Sequence, residues 1–255
     1  MTPPSELILY LEPSRSVHPN SLWSQVQRFF EASQQSPWSD NDALRYPGHV
    51  TMVGFFDSPN APSNDGDQQY QPHQQQQRLI HIIDECVDRI RHDTFASSFS
   101  LSGSTVIQGL IRPSPDSLLL AIQPAPILLQ LTQHLQESLP ELGLRRKRIN
   151  HLSLCYWADD NTEQQQQHDE ASPRIDVLSQ RTHWVDQAEQ LARETIPLLN
   201  VAAESRRPTS VTGDGVRGVG AGDLSWDMVL YSIQGRVKTG LKPHPLVELK
   251  RWTLS

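Results

Sequence analysis

The sequence predicts an α+β fold of two lobes, each an antiparallel sheet with helices packed on its outer face, the two pseudo-two-fold related around a central cleft. Three observations predict it. Short apolar strands alternate with amphipathic helical stretches along the chain. The motif His-x-Thr/Ser opens two of these strands, as His49-Val50-Thr51-Met52 and His151-Leu152-Ser153-Leu154. Each of those strands is followed by a Gln-rich insertion and then a helix, a mirrored order that two related lobes produce.

The elements follow in order. Leu7 to Leu11 is a short apolar run ended by Pro13 and reads as a buried first strand. Asn20 or Ser21 can cap a helix in which Leu22, Val26, Phe29 and Phe30 recur at helical spacing. The first motif strand runs from Val50 to Phe56. Residues 57–77, rich in Gln, Pro and Asn, read as a disordered insertion that cannot bury a core. Arg78 to Arg91 carries the stripe Leu79, Ile82, Ile83, Cys86, Val87 and Ile90, a helix packing one face on a sheet. Phe99 to Ile107 and Leu118 to Gln123 read as strands, and Ile127 to Leu142 as a second helix striped by Leu128, Leu131, Leu135 and Leu139.

The second motif strand, Leu152 to Trp157, precedes the Gln-rich insertion 158–174 and a helix from Thr182 to Leu199. Residues 202–223 are rich in Gly, Ser and Thr. Their Gly218-Val219-Gly220-Ala221-Gly222 lacks the strand before it and the Gly-Lys-Ser/Thr after it that a phosphate-binding loop requires, so the segment reads as a flexible loop. Trp226 to Ile233 and Leu246 to Leu254 close the fold. The whole chain, residues 1–255, is read as a single bilobal domain, long enough to bury its core without staples.

Composition narrows the function classes. A formal net charge of −7 argues against a broad nonspecific nucleic-acid binder, which needs a basic surface to displace counterions. No stretch approaches the length of a membrane span, and the start of the sequence lacks the basic and apolar regions of an export signal. Cys86 and Cys155, in apolar contexts, read as buried thiols in a reducing compartment. A cytoplasmic protein is expected, a nuclear one being compatible, and a monomer.

The motifs carry the chemistry. In a strand, residues i and i+2 share a face, so His49 shares one with Thr51 and His151 with Ser153, while Val50, Met52, Leu152 and Leu154 face a core. The pattern is short and the chain has ten histidines, so chance matches are expected. His92-Asp93-Thr94 is one: it has the spacing but no apolar strand around it. What distinguishes the other two is that each opens an apolar strand after a helical segment.

On these two motifs and the order of elements around them, the chain resembles the two-histidine phosphoesterases, the superfamily that includes bacterial RNA-ligase-like proteins and the cyclic phosphodiesterases of tRNA splicing. Its signature is a pair of His-x-Thr/Ser-x motifs. The resemblance spans most of the sequence, and the Gln-rich insertions depart from the compact family pattern. It implies a phosphodiesterase acting on a 2′,3′-cyclic phosphate, borne by an RNA end, a cyclic nucleotide or an ADP-ribose.

Such a reaction needs a base for water, an acid for the leaving oxygen, and donors for the nonbridging oxygens. His49 and His151 are the expected catalytic pair, with His151 read as base and His49 as acid, an order that sequence symmetry leaves open. Thr51 and Ser153 are the expected substrate-binding hydroxyls. No metal and no cofactor is expected: there is no His-Glu-x-x-His or Cys-x-x-Cys, and no carboxylate beside either motif until Asp57 and Asp159. Arg145-Arg146-Lys147-Arg148, just before the second motif, reads either as the flank of a phosphate site or as a solvated edge. Tyr46, Tyr156, Trp157 and Trp226 are each either a stacking platform for a base or core. Two readings from other classes stay open: a non-catalytic module that binds phosphate or nucleotide, and a scaffold whose Gln-rich insertions recruit partners.

Overall fold

The structure is a computed structural model and describes residues 6–57, 72–96, 105–157, 173–199, 225–233 and 245–254. It is α+β, with two antiparallel sheets and four helices. The four-stranded sheet has β1 (Glu6–Pro13), β2 (Val50–Asp57), β6 (Trp226–Ile233) and β7 (Leu246–Thr253) in the order β2-β1-β6-β7; the three-stranded sheet has β3 (Val106–Ile111), β4 (Ser117–Gln123) and β5 (His151–Tyr156) in the order β3-β4-β5. The helices are α1 (Leu22–Ser33), α2 (Pro72–Ala96), α3 (Pro126–Ser138) and α4 (Pro173–Thr195).

Strand alternation decides which face of each sheet meets the helices. From the four-stranded sheet Leu7, Leu9, Leu11, Met228 and Leu230 enter the main core, as do Leu118, Leu120, Ile122, Leu152 and Leu154 from the three-stranded one. Helical stripes complete that core: Leu22, Val26 and Phe29 of α1, Leu79 and Ile83 of α2, Leu128 and Leu135 of α3, Val185 and Ala188 of α4. Ser21 caps α1 by accepting from the Ser24 N–H. Asp84 ties α2 to β7, accepting from Lys250 Nζ at 2.8 Å and Trp252 Nε1 at 2.6 Å. The opposite face of the four-stranded sheet carries Ile8, Tyr10, Val229, Tyr231 and Ile233, packed separately.

The motif strands are the neighbouring edges of the two sheets. Past Thr51, β2 continues along β1 in a shifted register and on its other edge also pairs with the basic segment: Lys147 N–H donates to Met52 O at 3.1 Å, Gly54 N–H donates to Arg145 O at 3.0 Å, and Val53 bridges Arg146. This backbone link holds the two sheets together beside both histidines.

Several boundaries differ from the sequence reading. α2 begins at Pro72, so residues 72–77, read as part of the first insertion, are its opening turns; Gln is a fair helix former and Pro suits a first helical position. α4 likewise begins at Pro173 rather than Thr182. β3 ends at Ile111, past the expected Ile107, because Gly109 at φ +121° absorbs an irregularity in its pairing with β4. The remainder of both Gln-rich insertions, the whole Gly-rich loop 202–223, and residues 99–104 of the strand expected from Phe99 lie outside the described residues.

Candidate active site

His49 sits at the entrance to β2, and its surroundings fix it closely. Its ring stacks on Tyr10 of β1, centroids 3.7 Å apart and planes 23° apart, and meets Tyr46 edge-on at 5.6 Å. Nδ1 lies 2.6 Å from the Pro47 carbonyl oxygen, which can only accept, so Nδ1 carries a proton and Nε2 is left for chemistry. Burial among these rings disfavours the imidazolium and pulls the pKa down to about 4, against the pull of the Pro47 carbonyl; the charge of His151 adds to the fall. Gly48 gives the entry its closeness: a Cβ there would stand 2.7 Å from Val26 Cγ1 and 3.1 Å from Phe30 Cε2 of α1.

His151 opens β5 on the facing edge. Its Nδ1 lies 2.8 Å from Asn150 Oδ1, so it too is oriented through Nδ1 with Nε2 available. Burial lowers its pKa as well.

Both strands bend in the same way after their hydroxyl. Between Leu9 and Tyr10 of β1 the partner in β2 jumps from Val53 to Thr51, and between Leu118 and Leu119 of β4 the partner in β5 jumps from Cys155 to Ser153. Each jump is one extra residue, a bulge that shifts the alternation by one. Met52 and Val53 therefore both face the core, as do Leu154 and Cys155, and the cleft face resumes at Gly54 in β2 and at Tyr156 in β5.

The resulting cavity, about 320 Å³, is lined by Ile8, Tyr10, Tyr46, His49, Thr51, Gly54, Arg145, Lys147 and Tyr156. Of the four expected site residues, His49 and Thr51 line it. His151 and Ser153 stand outside its lining, both half-buried on β5, the strand that gives Tyr156 to its wall. Burial raises the Tyr156 phenol well above its ordinary pKa, so it stays a neutral donor. Of the basic run, the alternate residues Arg145 and Lys147 reach the cavity, as strand periodicity allows. Among the candidate platforms, Tyr46 and Tyr156 line the cavity, Trp226 is core, and Trp157 turns away to meet Trp184, with its Nε1 donating to Asp40 at 3.2 Å.

Sequence reasoning passed over Tyr10, Pro47 and Gly54. Tyr10 was the one legible signal: it is the only residue with a polar tip in the run Leu7–Leu11. Among the described residues no three His, Cys, Asp or Glu side chains converge as a metal would require, and no helix is long and apolar enough to cross a membrane. The chain matches no protein-family model and no curated protein.

Proposed function

We propose that this protein is a metal-independent phosphodiesterase of the two-histidine type, hydrolysing a 2′,3′-cyclic phosphate on an RNA end, a nucleotide or an ADP-ribose. The observation that carries the reading is the pair His49 and His151: two imidazoles on adjoining strand edges, each held through Nδ1 by an oxygen acceptor with Nε2 available. Matching bulges after Thr51 and Ser153 support the view that the two lobes are pseudo-two-fold halves around the cleft.

In the proposed reaction, one histidine takes a proton from water as its oxygen bonds to phosphorus. The other gives a proton to the ribose oxygen as its bond to phosphorus breaks. Thr51 and Ser153 donate to the nonbridging oxygens, where charge builds up. The sequence reading made His151 the base; the surroundings favour the reverse. His49, enclosed by Tyr10 and Tyr46, is held neutral and suits the base, which leaves the less enclosed His151 as acid. One chain supplies the whole pair, so a monomer suffices. Cys86 and Cys155 are buried thiols not joined in a disulfide, which suits a reducing compartment, cytoplasmic or nuclear.

The test is a product assay with the four nucleoside 2′,3′-cyclic phosphates in the presence of a chelator. Conversion to a nucleoside monophosphate is expected, and the isomer formed identifies which ester bond breaks. Binding without turnover would favour the non-catalytic module; activity lost in chelator and restored by a divalent ion would favour metal chemistry.

A further inference from the structure

We propose that the substrate carries a second phosphate and that Arg145 and Lys147 hold it, a refinement that rests on the phosphodiesterase reading of the same cleft. Both residues line the cavity that His49 and Thr51 line. Among the described residues no carboxylate pairs with Arg145, Arg146, Lys147 or Arg148, although the chain is acidic overall. Four consecutive cations without a counter-charge, two of them facing a cavity, leave that wall strongly attractive to an anion.

The position of Lys147 argues that this anion is not the phosphate under attack. Its side chain lies across Gly54: a Cβ at Gly54 would stand 2.7 Å from Lys147 Cε and 3.7 Å from its Nζ. Only glycine leaves room for the lysine to lie there. Gly54 is three residues beyond Thr51, roughly 7–10 Å along the strand. The place where the lysine stem crosses β2, at Gly54, is thus offset along the strand from Thr51 by more than the oxygens of a single phosphate span. A ribose with a cyclic phosphate at its 2′,3′ edge and another phosphate on its 5′ carbon covers such an offset. The backbone pairing of Arg145 and Lys147 with β2 fixes where their side chains start. Arg145 offers a two-pronged donor and Lys147 a point charge, a pairing suited to a phosphate dianion.

The experiment compares adenosine 2′,3′-cyclic phosphate with its 5′-phosphorylated counterpart, in the unaltered protein and in Arg145→Ala, Lys147→Ala and Arg146→Ala. The expected result is a kcat/KM about tenfold or more in favour of the 5′-phosphorylated substrate at low ionic strength, shrinking with salt. That preference should fall toward one in Arg145→Ala and Lys147→Ala and persist in Arg146→Ala, whose side chain projects from the other side of its strand. Calorimetry with adenosine 2′-phosphate and adenosine 2′,5′-bisphosphate reads the same preference without turnover. Equal handling of the two substrates, or equal losses on both in the Arg145 and Lys147 variants, would overturn the second-phosphate site and leave the phosphodiesterase reading standing. Preferential binding of the bisphosphate, abolished in those variants but with neither substrate turned over, would uphold the site and sink the phosphodiesterase reading. Identical affinity for the two products would overturn the site whatever the turnover.

Discussion

Tyr10 and His49 stack face to face, centroids 3.7 Å apart, across the first two strands of the larger sheet. Tyr10 is only 1% exposed and is itself backed by Tyr231 at 5.7 Å, so the slab beneath the imidazole is rigid. Stacking of this kind is worth about 0.5–1.5 kcal/mol beyond simple burial. Tyr10→Phe keeps the slab and should keep near-normal turnover. Tyr10→Leu should lower kcat by about three- to tenfold and, by admitting water to the ring, move the acidic limb of the pH profile upward. Steady-state kinetics across pH separates this from mere loss of fold, which would lower activity with the limb unmoved.

In the proposed reaction the two lowered histidine pKa values would set the pH dependence of kcat/KM, a quantity that reports on the unliganded protein. His49 must be neutral to act as base, so activity should rise as pH climbs through about 4. His151 must be protonated to act as acid, and its pKa is lowered from 6.5, so activity should fall again as pH rises through a value below 6.5. A bell with its optimum on the acidic side of 6.5 is expected, the limbs belonging to the coupled pair. An optimum above pH 7 would contradict a catalytic pair whose pKa values are both lowered by burial.

Gly48 should prove intolerant of a side chain. The methyl of Gly48→Ala would meet Val26 and Phe30, both buried and unable to swing clear, so α1 or the start of β2 must shift. Overpacking of this sort costs about 1–3 kcal/mol. Thermal unfolding should show a lowered Tm, and because His49 is the next residue, kcat should fall with it. An unchanged Tm would show that the helix and strand are not packed this closely.

Beyond the cleft, Arg251 holds together three carboxylates, of which Glu12 and Asp227 are buried. It donates to Glu12 at 2.9 Å, Asp227 at 3.0 Å and Glu248 at 2.9 Å, while Tyr231 donates to Glu12 at 2.7 Å. Glu12 is 0% exposed, and burial raises its pKa against the pull of these donors. Removing the guanidinium leaves Glu12 and Asp227 buried without a cation, a loss of about 3–5 kcal/mol. Arg251→Met should therefore destabilise strongly in chemical denaturation, and least at low pH, where the carboxylates can take up protons. Equal destabilisation at all pH values would mean that packing, not charge, explains the effect.

Much of this site was legible because strand alternation is a strict rule. His49 and Thr51 line the cavity, and Val50, Met52, Leu152 and Leu154 enter the core as period two requires, while His151 and Ser153 are half-buried on β5 outside that lining. β6 runs from Trp226 to Ile233, the bounds its apolar run implied. What alternation could not supply was where it breaks. The bulges at Met52 and Leu154 bring Gly54 and Tyr156 to the cavity, and a simple count of two would have sent Val53 and Cys155 there. Tyr10 was hidden for a related reason: an unbroken apolar run reads as buried on both faces, and the small aromatic layer on the cleft side of the larger sheet has no signature of its own. That Arg145 and Lys147 line the cavity depends on a backbone pairing between segments some ninety residues apart, to which sequence spacing gives no access.

The most direct measurement is the turnover of a nucleoside 2′,3′-cyclic phosphate, in chelator, by His49→Ala and His151→Ala, with circular dichroism confirming that each variant is folded. Removing either the base or the acid should lower kcat by about 10²- to 10⁴-fold, and the double variant should be scarcely worse than the weaker single one, since the pair acts as a unit. Thr51→Val and Ser153→Ala should each cost less, about 1–3 kcal/mol of transition-state stabilisation. Folded His49→Ala or His151→Ala protein that turns over the cyclic phosphate at the normal rate would contradict two-histidine catalysis at this cleft.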